Sequence, residues 1–165
     1  MLNRLNILIV DDEPDIATLL EFNLSRSLKA QDLRIQTVSN GTEALRAVQI
    51  SGDGNGHPPY DIILTDYNMP GMNGVELTSQ VRTESGYLTT PIIMLTATAD
   101  FQDIRRQALE SGASEVLTKP FSLTDLKAAL ERNLPEAAFT AAPPPYDPLA
   151  AKATVEDGAP MDLAM

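Results

Sequence analysis

The sequence predicts a single α/β domain, a doubly wound parallel sheet of five strands covered on both faces by five helices. Three observations predict it. Short apolar runs at Ile7-Leu8-Ile9-Val10, Ile62-Ile63-Leu64 and Ile92-Ile93-Met94-Leu95 are too short for helices, and their unbroken apolar character is that of strands buried on both faces. The stretches between them carry apolar residues at helical spacing. Finally, the runs end in residues of chemical interest: Asp11 and Asp12 after the first, Asp66 after the third, Thr96 after the fourth and Lys119 after the fifth. Right-handed crossovers bring all strand C-termini to one edge, where open α/β folds build their sites.

The elements follow in order. The first strand is read at 6–10. Asp11-Asp12-Glu13-Pro14-Asp15 then opens a helix, since proline suits a first helical position and acids suit a helix N-terminus. Ile16, Leu19, Leu20, Leu24 and Leu28 are read as its core-facing side. Ile35 and Val38, among Arg34, Gln36 and Thr37, predict a half-exposed strand near the sheet edge. Asn40-Gly41 breaks the chain, and Ala44, Leu45 and Val48 mark the second helix. The third strand is read at 61–65, followed by a turn rich in Pro, Gly and Asn and a helix on Val75, Leu77, Thr78 and Val81. The fourth strand is read at 92–96. Asp100 is read as the cap of a helix that uses Ile104, Ala108 and Leu109 and is closed by Gly112. The fifth strand is read at 115–118, and Ser122 with Asp125 has capping-box spacing before the helix of Leu126, Ala129 and Leu130.

The loop 51–59 holds three glycines that neither follow a strand nor open a helix, so it is not a phosphate-binding loop. His57 within it, the single histidine, is read as solvated. Arg105 and Arg106 are read as solvated helix charge. Pro135 ends the pattern. The domain is therefore placed at 1–134, and 135–165 is read as a disordered Pro/Ala-rich tail. In that tail Glu136, Asp147, Glu156, Asp157 and Asp162 against Lys152 leave a net −4.

The 165-residue chain carries a formal net charge of −11, which argues against nucleic-acid binding and against docking on an anionic membrane. The absence of cysteine excludes disulfides, thiolate metal sites and a Cys nucleophile. The N-terminal stretch does not read as a secretory signal, and no apolar run approaches a membrane span. These observations are read as a soluble cytoplasmic protein.

Carboxylates gathered at one sheet edge repel one another, and a divalent cation relieves the repulsion. Oxygen ligands without Cys or His favour Mg²⁺ or Mn²⁺. A carboxylate at a strand end can also attack phosphorus to give an aspartyl-phosphate. In such a transfer a lysine and a hydroxyl pair with the phosphoryl oxygens, the roles open to Lys119 and Thr96.

In this combination the chain resembles the receiver domain of two-component response regulators, and stand-alone chemotaxis-type receivers in particular. The resemblance covers about residues 5–134 and rests on Asp11-Asp12, on Asp66-x-x-Met69-Pro70-Gly71-Met72-Asn73-Gly74, on Thr96-Ala97 and on Lys119-Pro120-Phe121. It implies a flavodoxin-like sheet with strand order 2-1-3-4-5. It implies that Asp66 accepts a phosphoryl group from a histidine kinase or a histidine phosphotransfer protein. Mg²⁺ would be held by Asp12, Asp66 and the backbone carbonyl of Asn68, with Asp11 acting mainly through water. Thr96 and Lys119 would contact the phosphoryl group, and Lys119–Pro120 would be a cis peptide. The lifetime of the phosphoryl group would depend on neighbours such as Asn68 and Thr98. The chain would catalyse only its own phosphorylation and dephosphorylation, and signal to a downstream protein through residues 100–134 or pass its phosphoryl group onward in a phosphorelay. Two features depart from the family pattern. Val116 stands where the family often has an aromatic switch residue, and loop 51–59 is longer than usual.

Two other readings stand beside this one. A receiver fold could bind partners without phosphorylation, a reading that Val116 keeps open. A Mg²⁺-dependent phosphatase could work through an aspartyl intermediate. The nearest such class, the haloacid-dehalogenase-like phosphatases, uses Asp-x-Asp after the first strand, where this chain has Asp11-Asp12-Glu13.

Overall fold

In the computed structural model, residues 4–52, 56–97 and 101–140 are described. The strands are β1 (Arg4–Val10), β2 (Asp32–Val38), β3 (Ile62–Asp66), β4 (Ile92–Ala97) and β5 (Glu115–Lys119). The helices are α1 (Pro14–Ser27), α2 (Gly41–Ile50), α3 (Gly74–Val81), α4 (Phe101–Ser111) and α5 (Leu123–Asn133). All strand pairs are parallel, and their order is β2-β1-β3-β4-β5.

Alternation along each strand divides the core. Leu5, Ile7 and Ile9 of β1, Ile62 and Leu64 of β3, and Ile93 and Leu95 of β4 pack with Leu20 and Leu24 of α1 and Leu126 and Leu130 of α5. Leu8, Val10, Ile63 and Ile92 take the other face with Val48 of α2 and Leu77 and Val81 of α3. A smaller cluster beneath α4 joins Met94, Ala108 and Ala113, with Tyr67, Val75 and Val116 packed against it. β3 is buried along its whole length, as its unbroken apolar run requires.

Several expectations are corrected in detail. β2 begins at Asp32, ahead of Ile35, because its backbone pairs with β1 from Arg4 onward. β3 runs from Ile62 and ends on Asp66 itself, while Asp61 accepts the Asn6 N–H through its side chain at 2.7 Å. β4 and β5 each run one residue further, to Ala97 and Lys119. Leu19 is 50% exposed, because it lies roughly 100° around the helix from Leu20 and off the stripe of Ala17, Leu20 and Leu24. Leu109 is exposed for the same reason, leaving Ala108 as the buried residue of α4. Beyond Pro135 the packed chain continues. Glu136–Ala138 form a 3-10 turn, Ala138 is fully buried, and its carbonyl accepts the Lys29 N–H at 2.7 Å. Residues 141–165, Thr98 and the cap expected of Asp100 lie outside the described residues.

Helix termini are built from local polar chemistry. Asn40 caps α2 by accepting from Glu43 N–H at 2.8 Å. Asn73 with Glu76, and Ser122 with Asp125, form capping boxes at α3 and α5. The first two were read only as turn residues in the sequence.

Gly74 is demanded by close approach and not by its torsion. A Cβ there would stand 2.5 Å from the Asp66 carbonyl oxygen and 3.0 Å from Tyr67 Cα. The start of α3 is thereby pressed against the end of β3. Gly74→Ala should lower stability by about 2–4 kcal/mol in urea unfolding, as backbone must move. Gly86→Ala, where a Cβ meets nothing within 4 Å, should stay within about 0.5 kcal/mol of the wild type. Equal effects at both positions would contradict this account.

Candidate functional site

Asp66 is the last residue of β3 and is 5% exposed. Register aligns it with Leu95 of β4, and the next residue, Tyr67, donates its N–H to the Leu95 carbonyl at 2.8 Å. On the other side of β3, β1 delivers Asp11, whose N–H is tied to the Val38 carbonyl of β2 at 3.1 Å. From β5, Lys119 closes the group. Its Nζ lies 3.1 Å from Asp66 Oδ1 and 3.3 Å from Asp11 Oδ2. One ammonium thus bridges two buried carboxylates from strands distant in sequence. The Lys119–Pro120 peptide is cis, as the resemblance implied.

Asp12 and Glu13 are exposed at the start of α1. Ligand oxygens of Asp11, Asp12, Glu13 and Asp66 all fall within 4.8 Å of one another. Glu13 was read in the sequence only as part of a helix opening. The uninterrupted acidic run Asp11-Asp12-Glu13 was the signal that could have placed it in the site.

Asn68 sits in the loop after β3, where its backbone N–H favours the charged form of the Asp66 carboxyl. Thr96 is 2% exposed. It follows Leu95, which packs on the α1/α5 face, and so stands on the opposite side of β4. Its hydroxyl donates to the Ala97 carbonyl at 3.4 Å. The structure therefore gathers Asp11, Asp12, Asp66 and Lys119 directly, and places Thr96 at the neighbouring strand end with its hydroxyl on its own chain. His57 is exposed, as expected for a solvated loop residue. Arg106 is exposed and spans Asp103 and Glu110 on its own helix, at 3.8 and 3.7 Å.

Burial pushes the Asp66 carboxyl upward from its ordinary value. Lys119 opposes this, Asp11 adds to it, and the Asn68 N–H opposes it, with a net rise. For Lys119 burial acts downward, but the Asp66 and Asp11 carboxylates outweigh it and hold the ammonium protonated to higher pH.

The site can do two things chemically. Four carboxylates with no Cys or His make a hard-oxygen donor set for a divalent cation, and the exposed Asp12 and Glu13 give it an open side. A carboxylate held by Lys119 at 3.1 Å can also act as a nucleophile.

Residues 7–131 match the family model described as "Response regulator receiver domain". The chain is 34% identical over 165 residues to the transcriptional regulatory protein KdpE of Mycobacterium tuberculosis, an alignment that takes in 95% of this chain and 66% of KdpE. It is 37% identical over 128 residues to the alkaline phosphatase synthesis transcriptional regulatory protein PhoP of Bacillus subtilis, covering 78% of this chain and 48% of PhoP. The chain thus spans between about half and two thirds of the length of these curated relatives. Among solved structures it resembles the chemotaxis response regulator CheY4 of Vibrio cholerae, with a TM-score of 0.67, 31% identity and coverage of 79% of this chain and 99% of CheY4. It also resembles the receiver domain of the sensor histidine kinase PA1611 from Pseudomonas aeruginosa, solved with a magnesium ion coordinated in the active site cleft. There the TM-score is 0.65 and the identity 31%, covering 78% of this chain and 96% of that one.

The electrostatics of Asp66 give a direct test. A raised pKa means that the proton stays on Asp66 at pH values where an ordinary Asp has lost it. NMR titration of metal-free protein should place the Asp66 midpoint above 3.8. Lys119→Met removes the opposing cation and should move the midpoint higher still. A midpoint at or below 3.8, or a downward move in the variant, would contradict the account.

Proposed function

The chain belongs to the response regulator receiver domain family, and on that footing we propose that it is a phosphorylation-controlled signalling switch whose acceptor is Asp66. The observation that carries the proposal is the bridge of Lys119 between Asp66 and Asp11, at 3.1 and 3.3 Å, beside an acidic cluster with an open side. An Asp66 carboxylate oxygen attacks the phosphorus of a phosphohistidine on a sensor kinase or a histidine phosphotransfer protein. The P–O bond forms, the P–N bond breaks, and the released imidazole takes up a proton.

The residues fit Mg²⁺ by the chemistry of their donor set. Asp12, Asp66 and the Asn68 carbonyl would hold it, with Asp11 contributing through water. When bound, such a cation neutralises the carboxylates and the phosphoryl oxygens during transfer. The Mg²⁺ in the similar PA1611 receiver domain supports this assignment. Lys119 is placed to pair with a phosphoryl oxygen. Thr96 would turn its hydroxyl from the Ala97 carbonyl toward the new group.

A phosphoryl group brings nearly two negative charges and three strong acceptor oxygens. It would draw Lys119 and Thr96 toward Asp66 and bias a pre-existing equilibrium at α4, β5 and α5. That face carries the downstream protein contact in this proposal. The KdpE- and PhoP-like relatives are described as transcriptional regulators and are longer than the aligned region. For the 165 residues here, the formal net charge of −11 favours protein partners or onward phosphotransfer over DNA. Among the described residues no helix is long and apolar enough to cross a membrane. A kinase-fed switch of this kind works in the cytoplasm, and there the proposal places it.

Turnover separates the switch from an enzyme. With acetyl phosphate and Mg²⁺, the switch releases phosphate slowly, no faster than its own phosphoryl group decays, and Asp66→Asn abolishes the release. Continual rapid release from a range of small phosphate esters would favour the phosphatase reading. Release unchanged in Asp66→Asn would remove Asp66 from the chemistry.

A further inference from the structure

The two ends of α4 are held very differently. At its C-terminal end the Gly112 carbonyl accepts from Arg82, the residue that ends α3, through Nε at 3.0 Å and Nη2 at 2.8 Å. Ala113, 7% exposed, donates its N–H to the Ala108 carbonyl at 2.9 Å and packs beneath the helix. Ser114 donates its N–H to the Ile92 carbonyl at 2.8 Å and accepts the Ile92 N–H on Oγ at 3.1 Å, which stitches the chain to the start of β4. The first turns of α4 have no such hold. From Phe101 to Gln107 every residue is exposed or half-buried, and the described ion pairs of this stretch stay on the helix itself.

Arg82 is the centre of this fastening. Its Nη1 also donates to the Tyr87 carbonyl at 2.6 Å. One planar fork thus ties together the end of α3, the turn at Ser85–Tyr87 and the end of α4. Tyr87 is 2% exposed, so the fork stands on a fixed base. A Cβ at Gly112 would lie 2.9 Å from Arg82 Cγ, and φ there is +110°, so glycine is what lets the α4 terminus come this close. Carbonyls at a helix C-terminus lack intrahelical partners and favour a cation. Among the described residues the hydrogen-bond partners of the Arg82 side chain are all such main-chain carbonyls, and none is an acid.

We infer that Arg82 is a positioning residue of the switch: it pins the C-terminal end of α4 to α3, so that α4 pivots about that end and its N-terminal half alone answers to the phosphorylation site. The inference rests on the proposal that phosphorylation of Asp66 biases α4, β5 and α5. The free end of α4 is the one that follows Thr96 and Ala97 along the chain. A shift of Thr96 toward Asp66 therefore reaches the helix at Phe101 first. A helix loose at both ends would take up that shift by sliding or rotating as a whole. A helix pinned at its far end converts it into a tilt of the first turns, which carry the exposed Arg105 and Arg106. Arg82 touches neither Asp66 nor its cation in this account and acts only through the α4 terminus.

The test is amide hydrogen exchange followed by NMR on the full chain, for the wild type, R82M, R82K and R46M. Each is measured alone and with Mg²⁺ and beryllium fluoride, a phosphoryl mimic. Arg46 is exposed on α2 and controls for charge. Urea unfolding of each variant corrects the rates for global stability. In the wild type alone, the amides of residues 109–113 should exchange more slowly than those of 105–107. R82M should speed 109–113 by about tenfold beyond its global effect, as the bonds to the Gly112 carbonyl are lost. R82K keeps the charge without the fork and should restore part of the protection, and R46M should match the wild type. The mimic should change exchange at 105–107 alone in the wild type and across 105–113 in R82M. Protection of 109–113 that survives R82M would overturn the clamp. Loss of that protection with the mimic still felt at 105–107 alone would overturn the pivot while leaving the switch intact. A wild-type α4 indifferent to the mimic would overturn the switch reading at this helix, and the inference with it.

Discussion

The arrangement depends on one electrostatic constraint: carboxylates crowded at a sheet edge, with Lys119 between the two buried ones. Asp11 has no exposed side-chain surface and Asp66 has almost none. Burial and the neighbouring Asp11 carboxylate both push the Asp66 carboxyl toward its neutral form, and its charge calls for compensation. Lys119 supplies part of it from 108 residues beyond Asp11 in the chain. What remains uncompensated is the open side at Asp12 and Glu13. That open side is a set of hard oxygen donors suited to a divalent cation.

The parallel sheet makes this crowding possible. All five strands end at one edge, and their registers set which end meets which. Gly74 then lets α3 begin in contact with the Asp66 backbone, so Asp66 is fixed from behind as well as from the side. The two large cores hold α1, α2, α3 and α5 firmly. α4 is held by less, with Ala108 as its buried residue and a small cluster of Met94, Ala113, Tyr67, Val75 and Val116 beneath it. Tyr67 belongs to that cluster and directly follows Asp66. A change at Asp66 would thus adjoin the most lightly packed of the described helices, the kind of element that shifts at low cost. Val116 contributes no ring there, so any signal through this face runs on aliphatic packing and on Tyr67.

The fold was legible because its signals were physical and local. Unbroken runs such as Ile62-Ile63-Leu64, short and followed by turn residues, read as strands buried on both faces, and the acids, the threonine and the lysine at strand ends marked the candidate edge. Boundaries were less legible. Asp32 joins β2 because of pairing with Arg4, which no local pattern reports. Leu19 matches a helical stripe by type and misses it by angle. Ala138 is buried only because the chain folds back onto Lys29, a contact set by tertiary packing. In the site, Asp11, Asp12, Asp66 and Lys119 were found from their positions at strand ends. Glu13 was missed because an acid at a helix start already has a sufficient local explanation. That its side chain makes no cap bond to α1 is visible only in three dimensions.

The claim on which the rest turns is that Asp66 takes the phosphoryl group. It is tested most directly by incubating the full chain with acetyl phosphate and Mg²⁺ and locating the adduct by peptide mass mapping. The account predicts one hydroxylamine-labile phosphoryl group, on the peptide containing Asp66 and dependent on Mg²⁺. A folded chain that acquires no adduct, or carries it on another residue, would contradict it and leave a receiver fold that binds its partners without phosphorylation.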